Sequence, residues 1–394
     1  MNRTAAFAVV LATLLPVLGG CGIFGSDEEP ANSEISLQSC RLPKAAPLAI
    51  AVGARANVPR PELPSEVQEL MKGVAGAHQP LTLIRLDGAP AVVFDEPPPP
   101  RAKNPTADKQ AVAEYLAKAQ RAFAERMTAA TAQADVLAAL SLGGRATAEG
   151  GTVVLVDSGL QTVKPLDFAK DGLLDADPAE VAEYLTEERL LPDLHGRTVI
   201  LAGFGNTAPP QPDLDNNLRA KVVDTWRTAA AASGACVVTL PQPNTQKSIV
   251  DKPEVAVVAQ PPAPDPEFCG TVELGESDNI AFEPDTATFR DQQAARETMS
   301  KFADAMRGDK RRAELIGTTA TDGSVAGRLD LSARRAEAVK AVLVEQGVAA
   351  DRITTGGVGT DWPGHLPDIG PDGGLLPGPA GQNRKVVMNL TCAD

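Results

Sequence analysis

A chain of 394 residues is long enough to bury two full cores. Its 51 acidic against 37 basic residues give a formal charge of −14, which disfavours nucleic acid or anionic lipid headgroups as main partners. Aromatics are scarce (4%) and glycine (34) and proline (33) plentiful, yet apolar content is an ordinary 43%; this describes small-residue helix packing with irregular connectors, not a disordered chain.

The chain opens with Arg3 and the apolar run AAFAVVLATLLPVL (5–18), too short to span a bilayer permanently. Leu18-Gly19-Gly20-Cys21 then resembles the bacterial lipobox, where small residues precede a cysteine that is lipidated and becomes the mature N-terminus. The resemblance implies export and lipidation at Cys21. The alternative is an ordinary signal peptide with an incidental cysteine. Two acyl chains anchor stably where one does not, each buried methylene contributing ~0.8 kcal/mol. Residues 1–21 are therefore read as signal peptide and lipobox, and 22–45, with Asp27-Glu28-Glu29, as a polar tether.

Export changes how the other cysteines read. Cys40, Cys236, Cys269 and Cys392 form an even set without CxxC spacing, so disulfides are expected rather than zinc, the alternative being buried free thiols. Of the three possible pairings, Cys40–Cys236 with Cys269–Cys392 is favoured, because each pair brackets one of two regions. The proline-rich stretch 243–268 separates them and reads as a semi-rigid spacer.

In the first region (46–242), PLAIAVGARAN (47–57) reads as a buried strand, and two short strands flank the hairpin dipeptide Asp87-Gly88. Residues 107–144 carry helical periodicity up to a glycine pair. A buried strand follows at 151–162, then Asp177-Pro178-Ala179-Glu180 starts a helix, with Asp as cap, Pro in the first turn and Glu three residues on. A strand at 197–207, a helix through Trp226 and a last strand from Ala235 complete the alternation, which implies a mainly parallel sheet covered on both faces. This order resembles the von Willebrand factor A-like fold, a three-layer, Rossmann-like α/β/α domain. That family places Asp-x-Ser-x-Ser after its first strand to hold a metal. Here the matching residues are Gly53, Arg55 and Asn57, which leave no carboxylate for a hard cation, so no metal is expected.

Enzyme signals are sparse. The three histidines, His78, His195 and His365, stand in unrelated contexts, and there is no HExxH, Walker A loop or GxSxG elbow. Gly203-x-Gly205 lacks the third glycine of a dinucleotide fingerprint. Asp157 and Asp215 are the acids on which an enzyme reading would rest, and for Asp157, at a strand's end, no base partner is identifiable in sequence. No cofactor is expected.

The C-terminal region (269–394) reads as a strand through 279–289 and a helix at 291–307. A second strand then enters the polar loop GTTATDGS (317–324). The helix LDLSARRAEAVKAVLVEQGV follows, with Ala336, Val339, Leu343 and Val344 inward and Gly347 as cap; strands at 351–359 and 383–390 complete the region. Phe282, Ala287, Gly317, Gly323-Ser324, Leu331-Ser332, Arg335-Ala336, Gly357-x-Gly359 and Asn383-Arg384-Lys385-Val386 appear in the order of the OmpA C-terminal-like, peptidoglycan-associated domain, which this region resembles over roughly 270–394.

That resemblance implies an α+β domain that binds the peptidoglycan stem peptide by the amino-carboxylate end of its diamino acid. An arginine on the helix holds the carboxylate in a planar fork, and a loop aspartate holds the ammonium. Arg335 matches the arginine, but the aspartate position is Ala320 and the family's asparagine ahead of the helix is Arg328. Asp322 is the nearby acid, either a ligand residue or a turn residue before Gly323. Thr319 in the loop and Arg384 before the last strand complete the candidate set. Arg335 itself could alternatively be a solvated helix charge. The Gly/Pro-rich segment 362–381 has no role assigned by sequence.

The expectation is a lipid-anchored protein of the exported envelope face, non-enzymatic, which contacts peptidoglycan through its second domain. Its first domain would serve an unidentified protein partner. The rival is a structural assembly protein whose second domain has lost wall binding, the feature in its favour being Ala320.

Overall fold

The computed structural model describes residues 35–37, 40–42, 46–241, 253–261, 264–266 and 269–392. Cys21 with its lipobox, most of the tether and part of the proline-rich stretch lie outside the described residues. Among those described, no helix is long and apolar enough to cross a membrane.

A two-stranded ribbon, β1 (Ile35–Leu37) with β2 (Cys40–Leu42), precedes the first domain. Strands and helices then alternate. In chain order they are β3 (Leu48–Gly53), α1 (Ser65–Gly76), β4 (Leu81–Leu86), β5 (Ala91–Phe94), α2 (Pro105–Arg126), α3 (Val136–Ala146), β6 (Thr152–Val156), α4 (Pro178–Glu187), β7 (Thr198–Ala202), α5 (Asn216–Ala232) and β8 (Cys236–Leu240). They build a sheet of order β5-β4-β3-β6-β7-β8, parallel except for the β4–β5 hairpin. The central strands are apolar throughout because both faces are covered. Leu48, Ile50 and Val52 pack with α1 and α2, while Ala49 and Ala51 pack with α3, α4 and α5. The result is the expected α/β/α layering.

The helical stretch read over 107–144 is two helices, not one. Between them the chain returns to the sheet edge, where Ala129 N donates to Ala54 O (3.0 Å) and Ala130 N to Asp87 Oδ2 (2.8 Å). Asp135 then starts α3 by accepting from Ala138 N.

The second domain comprises β9 (Thr271–Leu274), α6 (Gln292–Gly308), β10 (Arg312–Thr318), α7 (Val325–Glu345), β11 (Ile353–Gly359), α8 (Pro377–Asn383) and β12 (Val386–Thr391). Its sheet runs β11-β10-β12-β9, with only β10–β11 parallel, and Met299, Phe302, Ala336, Val339 and Leu343 of α6 and α7 pack in one core with Leu315 and Met388. This is the expected α+β domain, with three corrections. The strand read at 279–289 is a turn held by a single Phe282–Phe289 bridge, and the first strand lies earlier, at β9. Val344 points outward, 38% exposed, while Val342 takes the inner position. Finally, 377–383 of the Gly/Pro-rich segment is helical.

Cys40–Cys236 and Cys269–Cys392 are disulfide-bonded, each with a Cα–Cα distance of 5.8 Å, so each bond stays within its own region as expected. The described part of the proline-rich stretch is no free spacer. Asn57 Nδ2 donates to the carbonyls of Val255 (3.1 Å) and Ala256 (3.0 Å), and Gln211 exchanges two hydrogen bonds with the Val258 backbone. Side-chain amides thus replace a neighbouring strand, and Val255 and Val258 are buried.

The two domains meet along α4, α5 and α8. Lys221 pairs with Glu276 (2.5 Å), Arg384 with Glu180 (2.6 Å) and Arg290 with Asp177, and Asn217 Nδ2 donates to Ser277 O. The backbones approach closely where α8 meets the turn before α4. A Cβ at Gly378 would fall 1.6 Å from Asp171 O, and one at Gly381 would fall 2.1 Å from Asp175 O.

Candidate functional site

At the carboxyl edge of the first sheet, between β3 and β6, the order of strands reverses, the usual place for a ligand crevice in such folds. Here it is filled from within. Arg55 and Asp157 form an ion pair with both side chains sealed from solvent. A Cβ at Gly53 would meet the same Asp157 carboxylate at 1.8 Å, and Asn57 is committed to the proline-rich stretch. Asp215 accepts from Leu218 N as the cap of α5. Among the described residues no group of three His, Cys, Asp or Glu side chains comes together to hold a metal.

The second candidate region starts from small residues. A Cβ at Gly317 of β10 would lie 1.9 Å from Ser332 O, and one at Gly357 of β11 would lie 2.2 Å from Ala333 N. Glycine at both positions lets α7 lie almost on the sheet. Ser332 locks that approach, its Oγ accepting from Gly359 N (3.0 Å) and donating to Leu329 O (2.9 Å). Ser324 caps the helix by accepting from Gly327 N. The helix is thereby held at a fixed height, and Arg335, one turn beyond Ser332, is delivered beneath the 282–289 turn.

There Arg335 is only 6% exposed. Its guanidinium lies 5.1 Å from the centroid of Phe282, which stacks on Phe289, and its Nε donates to Thr286 O (3.0 Å). Among the described residues it enters no ion pair. Burial, together with the positive charges of Arg384, Arg290 and Arg334, lowers its pKa to about 10, with Asp285 acting the other way. The group is still cationic at neutral pH, a buried positive charge outside any ion pair among the described residues.

Arg335 opens into a cleft of about 310 Å³. Thr319, Asp322 and Arg384 line it too, so the structure brings the four sequence candidates together. Their situations differ. Thr319 is buried and its Oγ1 has no hydrogen-bond partner among the described residues. Asp322 is on the exposed rim. Arg384 is already engaged by Glu180 across the domain boundary. Ala320, in the position of the family's acid, also lines the cleft and is 2% exposed.

Sequence reasoning missed two sets of residues. Asp368, from the long segment before α8, supports the loop: its Oδ2 accepts from Thr321 N (2.8 Å) and Asn383 Nδ2 (2.9 Å). Burial alone would raise its carboxyl pKa, but those hydrogen bonds and the nearby His365 outweigh it and hold the pKa low. The other set comes from the first domain, whose Asp175, Asp177 and Glu180 form one wall of the cleft. Asp177 and Glu180 were legible as a helix start but not as neighbours of Arg335, which lies more than 150 positions away in sequence.

Residues 281–365 match the OmpA family, and they form an OmpA-family domain. No curated protein matches the chain. Several solved structures resemble it over about a third of its length. The periplasmic domain of Helicobacter pylori MotB is 18% identical, with 32% of this chain and 83% of that one covered, at a TM-score of 0.25. The peptidoglycan-associated lipoprotein from Burkholderia pseudomallei is 21% identical, covering 30% and 89%, at 0.25. The cell wall anchor of the type VI secretion system from Pseudomonas aeruginosa is 21% identical, covering 32% and 81%, also at 0.25.

Proposed function

We propose that this OmpA-family protein is lipid-anchored through Cys21 on the exported face of the cell envelope and holds peptidoglycan non-covalently in the Arg335 cleft. The observation that carries the reading is the buried guanidinium of Arg335, which among the described residues has no carboxylate in ion-pair contact and faces an open cleft. A charge in that state is stabilised by an incoming anion, and a planar fork suits a carboxylate. OmpA-family domains commonly bind peptidoglycan, whose stem peptide offers such a group. Two disulfides accord with an oxidising compartment. The first domain, in this reading, is a von Willebrand A-like scaffold for a protein partner. The reading involves no catalysis: Asp157 is occupied by Arg55 and Asp215 caps a helix.

Co-sedimentation of the full-length chain with purified sacculi tests this. Wild type is expected in the pellet and Arg335→Ala in the supernatant. Wild type remaining in the supernatant would instead favour the second reading, a structural assembly protein whose OmpA-family domain no longer binds wall. The buried Ala320, where the family has an acid, is the observation on that side.

A further inference from the structure

The cleft around Arg335 is not made by the OmpA-family domain alone. We infer that the first domain supplies the acid that this domain lacks, so that Asp175 and its neighbours receive the ammonium while Arg335 receives the carboxylate of one amino-carboxylate ligand. The inference rests on the wall-binding reading above and adds a specificity-determining role for residues of the first domain.

Four observations support it. The position that would carry the acid is Ala320, buried in the cleft lining. The first domain contributes Asp175, Asp177 and Glu180 to the lining, beside Glu276 and Asp285 of the second domain. Two of these acids are already matched to cations of the second domain, Asp177 to Arg290 and Glu180 to Arg384. Asp175 forms no ion pair among the described residues, and its carboxylate accepts only a long 3.4 Å bond from Gln382. Among the described residues the cleft thus presents one buried cation outside any ion pair and one first-domain acid in the same state, beside Asp285 and Asp322 of the second domain, with the unpartnered Thr319 hydroxyl also on its lining. A zwitterionic end group complements that arrangement, whereas a simple carboxylate would leave Asp175 unmatched.

The wall is also held in place. The Gly378 and Gly381 contacts let α8 touch the backbone at Asp171 and Asp175 directly, which sets the position of the acidic turn against the second domain. Ligand recognition would therefore depend on the two domains being docked.

The test is calorimetric titration of the full-length chain in detergent with a synthetic stem tripeptide ending in meso-diaminopimelate, and with the same peptide acetylated on its side-chain amine. Wild type should bind the free-amine peptide roughly ten- to a hundred-fold more tightly, the range expected of a hydrogen bond to a charged group. Asp175→Asn should remove most of that preference while leaving binding of the acetylated peptide in place. Gly378→Val, whose side chain would clash with Asp171 O and so displace the first-domain side of the cleft, should weaken the preference as well. If wild type binds both peptides equally and Arg335→Ala abolishes both, the wall reading stands and this inference fails. If Asp322→Asn rather than Asp175→Asn removes the preference, the loop's own acid does the work and the inference fails. Failure of wild type to bind either peptide overturns both.

Discussion

Arg55 and Asp157 face each other at the carboxyl edge of the first sheet, with Arg55 Nη2 2.9 Å from Asp157 Oδ1 and neither side chain reached by solvent. They lie just beyond β3 and β6, adjacent parallel strands at the point where the strand order reverses. The guanidinium occupies the crevice in which other folds of this architecture place a ligand. Removing one member deprives the other of its buried ion-pair partner, which destabilises a protein by about 3–5 kcal/mol. Arg55→Ala and Asp157→Ala are each expected to lower the urea midpoint accordingly, and an Arg55→Met, Asp157→Leu double variant should recover most of the loss. Excess Mg²⁺ should leave the wild-type melting temperature unchanged, since the positive charge is already in place.

The contact between Gly378 and Asp171 O predicts a conformational phenotype. Any side chain at 378 displaces the backbone of the opposite domain, because the clash is with a carbonyl rather than a flexible side-chain tip. Gly378→Val should raise amide hydrogen exchange over 171–176 and enlarge the radius of gyration in small-angle scattering. Both domains should still unfold cooperatively. An unchanged scattering profile would show that the salt bridges alone hold the domains together.

Asp278 links pH to stability. Burial pushes its carboxyl up to about 6, opposed by the Gly275 N–H and reinforced by the charge of Asp175. The folded chain therefore holds this proton more tightly than the unfolded chain, whose carboxyl titrates near 3.8. The contribution favours folding below pH 4, weakens as pH rises through 6, and is a net penalty at neutral pH. Asp278→Asn keeps the acceptor for Gly275 N and should stabilise the protein by about 1–2 kcal/mol at pH 7.5. It should also reduce the change in stability between pH 4 and pH 6. Comparing the two proteins by urea titration across that range cancels Glu180, whose carboxyl pKa is also raised, chiefly by burial, and Asp177, held low by Arg290.

Ala320→Asp should rescue Asp175→Asn. A carboxylate at 320 returns an acid to the cleft on the second domain itself, so the preference for the free-amine peptide should reappear without help from the first domain. The readout is the affinity ratio of the two peptides. A double variant as indifferent to acetylation as Asp175→Asn alone would mean that position 320 cannot reach the ammonium.

The proposed lipid anchor at Cys21 lies outside the described residues. Cys21→Ser should move the protein from the membrane pellet to the soluble envelope fraction, even after a carbonate wash of the wild type leaves it in the pellet. Retention of the variant in the pellet would place the anchor elsewhere.

Wherever local chemistry was sufficient, the sequence by itself determined the outcome. Apolar runs bounded by turn residues marked β3, β6 and β7, because strands buried on both faces have no polar side to show. Asp177-Pro178 marked the start of α4, and the spacing from Gly317 through Ser332 to Arg335 marked the OmpA-family helix, since Asp177 caps its own helix and Gly317 and Ser332 meet where α7 lies on its sheet. Reading failed where the partner was distant. The 279–289 segment has strand-like composition, but Phe282 and Phe289 stack on each other over Arg335 instead of joining the sheet. The 362–381 segment had no role legible in sequence because Gly378 and Gly381 act against the backbone of another domain. Likewise, Ala320 in the sequence reads simply as a lost acid. Only the tertiary structure brings Asp175 to the same cleft, because a carboxylate acts through space and its distance along the chain carries no information about that.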